Sequence, residues 1–214
     1  DLHPRVRRQC QMCIRDRYTG VDKTVKRAIS LSAIKRIKQL DLSMQPHLDF
    51  TRDMFLFSFY TRGMSFIDMA YLKKNNLQNG YLFYRRRKIG QQLVVKWEKC
   101  MQEIVDKYST SDLIPYLLPI LKYPDQDTYK LYRNTMSNIN RYLKVIARLS
   151  EISIPLSLYC ARHSWASAAK DKNIPISVIS EGMGHDSEIT TQIYLASLDN
   201  SIVDKANAQI LDDL

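Results

Sequence analysis

The sequence lacks long hydrophobic runs. One of its longest apolar stretches, residues 54–57, is far shorter than the ~20 residues that a membrane-spanning helix requires. The start of the chain does not resemble a secretory signal peptide. We therefore expect a soluble, intracellular protein that does not bind a membrane.

Cysteine is also scarce. Four cysteines among 214 residues do not form a disulfide framework in a chain of this length, and free thiols in a reducing cytosol fit them better. Cys10 and Cys13 form a Cys-x-x-Cys pair, but no second pair follows to complete a metal site. The cysteines therefore predict no bound metal.

Positive charge, in contrast, is in excess. Lysine and arginine number 32 against 22 acidic residues, so the formal net charge is +10 and the pI is near 9.4. Such an excess indicates an anionic partner, with nucleic acid ahead of a membrane surface. The apolar content of 45% is enough for one domain with a hydrophobic core.

The periodicity of apolar residues predicts a mainly helical fold with a small antiparallel β-sheet. Ser30 or Ser32 is a plausible cap for a first helix that carries Ile34 and Ile37 on one face. Alternation around a glycine-containing turn predicts a hairpin of two strands, 81–85 and 92–96. Further helices are predicted at 48–61, 97–107, 128–149, from 157 onward, after 186 and at 199–214.

Four adjacent cations, Arg85, Arg86, Arg87 and Lys88, lie at the predicted hairpin tip. They cannot all be packed inside the protein, and an anion among them would relieve their mutual repulsion. A hairpin tip is also thin enough to lie against a DNA groove. The simpler alternative is a solvated basic turn.

The stretch from 159 to 194 concentrates groups suited to phosphodiester chemistry. Arg162 offers a planar fork that matches two phosphate oxygens, and His163 and His185 can hold or pass a proton. Tyr194 offers a hydroxyl that can form a covalent intermediate. Gly-Met-Gly before His185 predicts a sharp backbone turn ahead of the next helix. Together these residues predict phosphoryl transfer without a metal ion.

These motifs resemble the catalytic domain of the tyrosine recombinase (phage integrase) family. The family pattern is His-x-x-Arg-His, then Leu-Gly-His, then Tyr nine residues later. The chain has Tyr-Cys-Ala-Arg-His, then Met-Gly-His, then Tyr at that spacing. The resemblance implies that Arg162 is the second catalytic arginine, His185 the second histidine and Tyr194 the nucleophile, within the DNA breaking-rejoining fold.

The resemblance also assigns a role to the hairpin. The family's catalytic lysine commonly lies in Arg-x-Lys-Thr-Gly, which matches residues 86–90 and makes Lys88 the general acid for the leaving 5′ hydroxyl. Arg86 and Arg87 are then auxiliary or DNA-binding residues. The likeness is greatest to integrases of mobile elements in Bacteroides-type bacteria, which implies a bacterial cytoplasm.

One departure from the family pattern affects proton handling. The family's first histidine falls at Tyr159. Its role is therefore either dispensable in this chain or transferred to His163.

A second departure affects charge. If Asp68 aligns with the Glu of Thr-Gly-x-Arg-x-x-Glu, the family's first arginine falls at Ser65. Loss of one guanidinium from a phosphoryl-transfer site costs orders of magnitude in rate unless another cation replaces it. Arg62 and the arginines of the run 85–87 are the candidates for this replacement cation. Ser65 is expected to hydrogen-bond a phosphate oxygen, and Asp68 to buttress an arginine.

The reaction implied by the resemblance is attack of Tyr194 on one DNA strand, which leaves a 3′-phosphotyrosyl link and a free 5′ hydroxyl. The ester stores the bond energy, so neither a cofactor nor a metal is required. Strand exchange between two duplexes implies a homotetramer on double-stranded DNA. The tail helix is expected to dock either in cis or on a neighbouring subunit.

The resemblance covers residues 18–214, as a catalytic domain without the family's N-terminal DNA-binding domains. Residues 1–17 have no usable periodicity and are expected to be a non-native or disordered leader. Two alternatives to a recombinase remain: a type IB topoisomerase-like enzyme, and a DNA-binding relative that has lost turnover. Ser65 and Tyr159 keep the second alternative open.

Overall fold

The computed structural model describes residues 27–108, 111, 113–121, 127–196 and 211. The leader predicted at 1–17 lies outside these residues, and so does nearly all of the tail helix predicted at 199–214. In chain order, the helices are α1 Leu31–Gln39, α2 Pro46–Tyr60, α3 Phe66–Ala70, α4 Lys99–Lys107, α5 Thr128–Leu149, α6 Leu158–Asp171, α7 Ile176–Met183 and α8 Glu188–Ala196.

The strands form a small antiparallel sheet in the order β1-β2-β3, with β1 at Leu77–Gln78, β2 at Tyr81–Arg85 and β3 at Gln92–Lys96. The β2 and β3 strands pair with Tyr81 opposite Lys96 and Arg85 opposite Gln92. This arrangement confirms the predicted hairpin. The sheet lies ahead of α4, in an otherwise helical molecule.

Local capping chemistry explains where the helices begin. The Ser30 side chain accepts a hydrogen bond from the N–H of Ala33 at the start of α1, and Asp127 accepts from the first turn of α5. Both interactions satisfy backbone donors that a helix start leaves unpaired. The predicted α1 and α5 are confirmed.

The start of α4 differs from the prediction. We predicted a helix from Trp97, but α4 begins at Lys99. The N–H of Trp97 donates to the carbonyl of Gly80 at 2.8 Å, so this residue continues the hairpin pairing. Sheet hydrogen bonding therefore takes precedence over helix formation at this boundary.

Helix α2 lies at the centre of the main core, in contact with α1, α4, α5 and α6. Its Met54 and Phe57 are fully buried, whereas Phe50 and Phe59 are partly buried and pack against the core. The helix starts at Pro46, a residue well suited to a first helical turn because it lacks an N–H. This central helix holds the turn that precedes α3.

A second, smaller apolar cluster joins α6, α7 and α8. It consists of Ala166, Ala169, Ile179, Met183 and Leu195, with Trp165 and Tyr194 packed against it. This cluster, not the main core, sets the position of the helix that carries Tyr194.

Gly63 is needed where the turn after α2 passes α6. Its φ is +77°, and a Cβ placed there would lie 2.6 Å from the Cα of Arg162. We expect Gly63→Ala to lower the free energy of unfolding by about 2–4 kcal/mol, from backbone strain and overpacking combined.

Urea denaturation measures this loss, and Gly80→Ala is the matched control. Gly80 has a similar φ of +75°, but a Cβ there would meet nothing within 4 Å, so only the strain is expected. Equal losses in the two variants would show that the close approach to α6 does not matter.

Candidate active site

The guanidinium of Arg162 links three parts of the fold. Arg162 lies on α6 and is only 8% exposed. Its Nη1 donates to the carbonyl of Gly63 at 3.1 Å and its Nη2 to the carbonyl of Met183 at 2.8 Å. The second acceptor is at the C-terminal end of α7, where unpaired carbonyls carry partial negative charge. Burial, and then the nearby Arg86, lower the pKa of Arg162, but an arginine remains charged at neutral pH.

His185 is placed beside Arg162 by a left-handed turn. Gly184 ends α7 with a φ of 64°, and His185 Nε2 then lies 3.2 Å from Arg162 Nη2. Because arginine can only donate, Nε2 accepts and Nδ1 carries the proton. Burial, followed by Arg162, lowers the pKa of His185 to about 4, so the ring is neutral.

Thr191 completes this arrangement, and sequence reasoning missed it. Its Oγ1 lies 2.8 Å from His185 Nδ1, and the residue is fully buried. It therefore accepts a hydrogen bond from the Nδ1–H group and stabilises the tautomer in which the unprotonated Nε2 faces Arg162. The available signal was its position on α8, six residues after His185 and three before Tyr194.

Tyr194 packs between two histidines. Its ring is stacked on His163, with centroids 5.0 Å apart and planes 7° from parallel, and it meets the edge of His185 at 5.7 Å. Burial, and then Tyr159, raise the pKa of Tyr194, whereas Arg162 acts to lower it. The phenol is therefore neutral in this arrangement.

Tyr159 and His163 extend the series of rings. The Tyr159 ring meets His163 edge-on, at 4.5 Å between centroids and 89° between planes. Tyr159 is 52% exposed, whereas His163 is buried. Burial, with Arg27 and Arg162, lowers the pKa of His163 to about 4. The neutral imidazole of His163 thus contacts both phenols, and Tyr159 also acts directly on Tyr194, whose pKa it raises.

The basic residues at the hairpin tip differ in where their side chains point: some contact the protein and others face solvent. Arg86 Nη1 donates to the carbonyl of Gly184 and lies 3.4 Å from that of Met183. The Arg87 guanidinium lies 4.0 Å from the centre of the Tyr71 ring. Lys88 is exposed, with no contact to another described residue of the site. One cation of the run therefore reaches the Met183 carbonyl that also accepts from Arg162.

Ser65 and Asp68 connect the start of α3 to the hairpin. Ser65 caps α3 and its hydroxyl donates to Asp68 Oδ2 at 2.6 Å. Asp68 Oδ1 accepts from the backbone N–H of Arg87 at 2.8 Å. Asp68 therefore supports an arginine through its main chain and holds the hairpin against α3, and the contact of Ser65 with a phosphate oxygen stays a prediction.

Arg62 is directed elsewhere. Its Nη1 lies 3.4 Å from the carbonyl of Val94 on β3, and its side chain passes close to Gly182. The Arg62 side chain thus contacts β3 and α7, and not the group formed by Arg162, His185 and Tyr194.

The described part of the chain contains no group of three or more His, Cys, Asp or Glu side chains that could hold a metal ion. Among its helices, none has the length and apolar character needed to cross a membrane.

The family pattern described as "Phage integrase family" matches residues 51–201, which include every residue of this site. The chain belongs to this family. Its members are the tyrosine recombinases, and the mainly helical fold with a three-stranded antiparallel sheet is that of their catalytic domains. No curated protein sequence matches the chain.

Solved structures of tyrosine recombinases share this fold. The XerA recombinase is 19% identical, with a TM-score of 0.60 over 85% of this chain and 64% of that chain. XerH bound to a palindromic difH substrate is 15% identical, with a TM-score of 0.62 over 85% and 52%. A lambda integrase (75–356) dimer bound to a COC′ core site is 17% identical, with a TM-score of 0.55 over 79% and 62%. This integrase-family chain thus spans between about half and two thirds of these proteins.

The fold brings together the family-pattern residues Arg162, His185 and Tyr194, with His163 and Tyr159 beside them. It adds Arg86 and Thr191. It leaves Lys88 exposed at the hairpin tip, and Ser65 and Arg62 in contacts outside this group.

Thr191→Val is expected to let His185 adopt both neutral tautomers. Valine has nearly the same shape as threonine but cannot accept a hydrogen bond from Nδ1–H. A buried donor therefore loses its partner, at a cost in folding free energy of about 1–3 kcal/mol. Nitrogen-15 NMR of the imidazole should then show a mixture of tautomers. Thr191→Ser keeps the hydroxyl and should behave as the wild type, and an unchanged spectrum in Thr191→Val would contradict the assignment.

Acidification is expected to destabilise the fold through the two histidines. The pKa values of His163 and His185 are lowered from 6.5 to about 4. The unfolded chain binds these protons at higher pH than the folded chain, so their stabilisation is complete above pH 6.5 and is lost as pH falls toward 4. Allowing for solvent screening, we expect about 1 kcal/mol per histidine between pH 7 and pH 5.

Urea unfolding at the two pH values measures this loss. His163→Phe keeps an aromatic ring against Tyr194 and should show about half of the wild-type loss. A wild-type stability that is the same at both pH values would contradict the proposed protonation states.

Proposed function

We propose that this chain contains the catalytic domain of a site-specific DNA recombinase that cleaves and rejoins strands through a 3′-phosphotyrosyl intermediate on Tyr194. The observation that most directly supports this proposal is the 3.2 Å contact between Arg162 and His185, with the Tyr194 ring packed against that histidine. A guanidinium, an imidazole and a phenol thus meet in one place, which is the set that metal-free phosphoryl transfer needs.

Two guanidinium groups would bind the reacting phosphate. Arg162 donates to the carbonyl of Met183, and Arg86 donates to that of Gly184 and lies 3.4 Å from that of Met183, so two positive charges are held close together. Their repulsion favours an anion between them. We assign Arg86 as the cation that replaces the arginine missing at Ser65, because Arg62 donates to β3 instead.

His185 would change its role when phosphate binds. In the present arrangement its Nε2 accepts from Arg162. A bound phosphate takes over that arginine N–H, and its negative charge raises the pKa of the imidazole. The protonated ring then donates to a non-bridging oxygen.

Tyr194 would attack phosphorus once its phenol loses a proton. The raised pKa of this buried phenol keeps it unreactive without substrate, and the two guanidinium groups favour the phenolate as it forms. Tyr159, beside His163, takes the place of the family's first histidine as a hydrogen-bonding neighbour of the nucleophile.

Lys88 would protonate the leaving 5′ oxygen. It is two residues from Arg86, whose side chain anchors the hairpin tip at Gly184. Two residues of extended chain span about 7 Å, and a flexible lysine side chain adds further reach. Lys88 can therefore approach the phosphate without dissociation of the hairpin.

The proposed partner is double-stranded DNA, bound by a homotetramer in a bacterial cytoplasm. Support comes from the net charge of +10 and from relatives whose structures contain DNA, namely XerH with difH and lambda integrase with a core site. A DNA-binding relative without turnover is the second candidate. It is favoured by the Ser65 hydroxyl, which is engaged by Asp68 and brings no charge to the phosphate.

Covalent trapping separates the two candidates. We expect the wild-type chain to form a protein–DNA adduct with a pool of nicked suicide duplexes randomised around the nick. Tyr194→Phe should form none, because it lacks the nucleophilic hydroxyl. Adduct in that variant, or none in the wild type, would contradict the proposal. Denaturing gel electrophoresis of labelled DNA gives the yield.

The same assay tests which cation replaces the missing arginine. Arg86→Gln is expected to slow adduct formation by about 100-fold or more, which is the usual cost of one stabilising group at a transition state. Arg62→Gln is the matched control and should slow it less than about 3-fold. The reverse order would assign the role to Arg62.

A further inference from the structure

A cavity of about 250 Å³ opens beside the candidate active site. It lies between the start of α3, the middle of α5 and the start of α6, and its lining includes Met64, Phe66, Tyr132, Met136, Tyr159 and Arg162. Arg162 therefore belongs both to this cavity and to the proposed phosphate site. A ligand that is bound through its phosphate at Arg162 can extend directly into the cavity.

The lining of the cavity suits a flat aromatic group. Phe66 and Tyr132 are stacked with centroids 5.7 Å apart and planes at 27°, and Tyr159 is half exposed. Met64 and Met136 add polarizable thioethers, which make favourable contacts with rings. Bases stack on such side chains in proteins that bind unpaired nucleic acid.

Asn140 gives the cavity a hydrogen-bond donor. It lines the cavity, and its side-chain oxygen accepts from the N–H of Leu158 at 3.0 Å. This bond orients the amide and leaves its NH₂ group with no partner among the described residues. Among those residues, no acidic side chain lines the cavity. The cavity is thus suited to a ring that carries hydrogen-bond acceptors.

We propose that this cavity receives an unstacked nucleobase, adjacent to the phosphate that binds at Arg162. The inference rests on the proposed function in one respect, that a DNA phosphodiester binds there. A base inside an intact duplex is covered on both faces, so it must leave the stack to enter. Each of the four bases carries a carbonyl oxygen or a ring nitrogen that can accept from the Asn140 amide.

A minimal ligand tests this without knowledge of the target sequence. The probe is the dinucleotide dTpdT, compared with an analogue in which one base is removed and the phosphate is kept. The protein is the 214-residue chain with Tyr194→Phe, which excludes chemistry. Carbon-13 methyl NMR of the methionines reports on the cavity, and Met136→Leu assigns the key signal.

We expect dTpdT to shift the methyl signals of Met136 and Met64 through its ring current. The abasic analogue should not shift them and should bind at least about fivefold more weakly, the lower end of the effect of one stacked base. Met44, which is 91% exposed, is the internal control and should not move.

Two tyrosines on α5 form a matched pair of variants. Tyr132→Ala removes an aromatic wall of the cavity and should abolish the preference for dTpdT over its abasic analogue. Tyr129→Ala removes a neighbouring tyrosine that is 60% exposed and does not line the cavity, so it should leave the preference intact. Equal effects of the two changes would overturn the proposal.

The remaining outcomes separate this proposal from the recombinase function. Equal binding of both ligands with Met136 unmoved would overturn the base pocket and leave the phosphate site standing. Absence of binding at millimolar dTpdT would also overturn the pocket, even if the suicide substrates form an adduct. A dTpdT-specific shift of Met136 in a chain that forms no adduct would support the pocket and reject the enzyme.

Discussion

The buried guanidinium of Arg162 is the interaction on which the site depends. A charge removed from water is costly unless fixed acceptors surround it. Here the acceptors are carbonyls of Gly63 and Met183, which belong to the turn after α2 and to the end of α7. The same cation therefore joins the main core to the small cluster under Tyr194, and it requires a glycine where the turn passes α6.

The other groups of the site follow from this placement. Gly184 turns the chain so that His185 faces Arg162, and Thr191 holds the tautomer that accepts from it. Arg86 reaches the same end of α7, so positive charge accumulates around a phenol that burial keeps neutral.

Elements defined by local chemistry could be predicted accurately. The helices α1 and α5 and the β2–β3 hairpin follow from apolar periodicity, caps and a glycine turn, which act over a few residues. The grouping of His185 with Tyr194 could be predicted because the interval between them lies within one turn and one helix. The start of α4, the backbone N–H that Asp68 binds and the role of Thr191 were missed, because each depends on a contact made only after the chain has folded.

By itself, the sequence determined that a guanidinium, an imidazole and a phenol belong to one site, since their order and spacing match the family pattern. It did not determine which cation joins them. Residues 85–88 are four neighbouring cations of similar chemistry, and no local rule ranks them. Only the meeting of the hairpin tip with the end of α7, 98 residues further along the chain, turns Arg86 inward. The selection arises from tertiary structure because the carbonyls that bind this side chain are brought to it by folding.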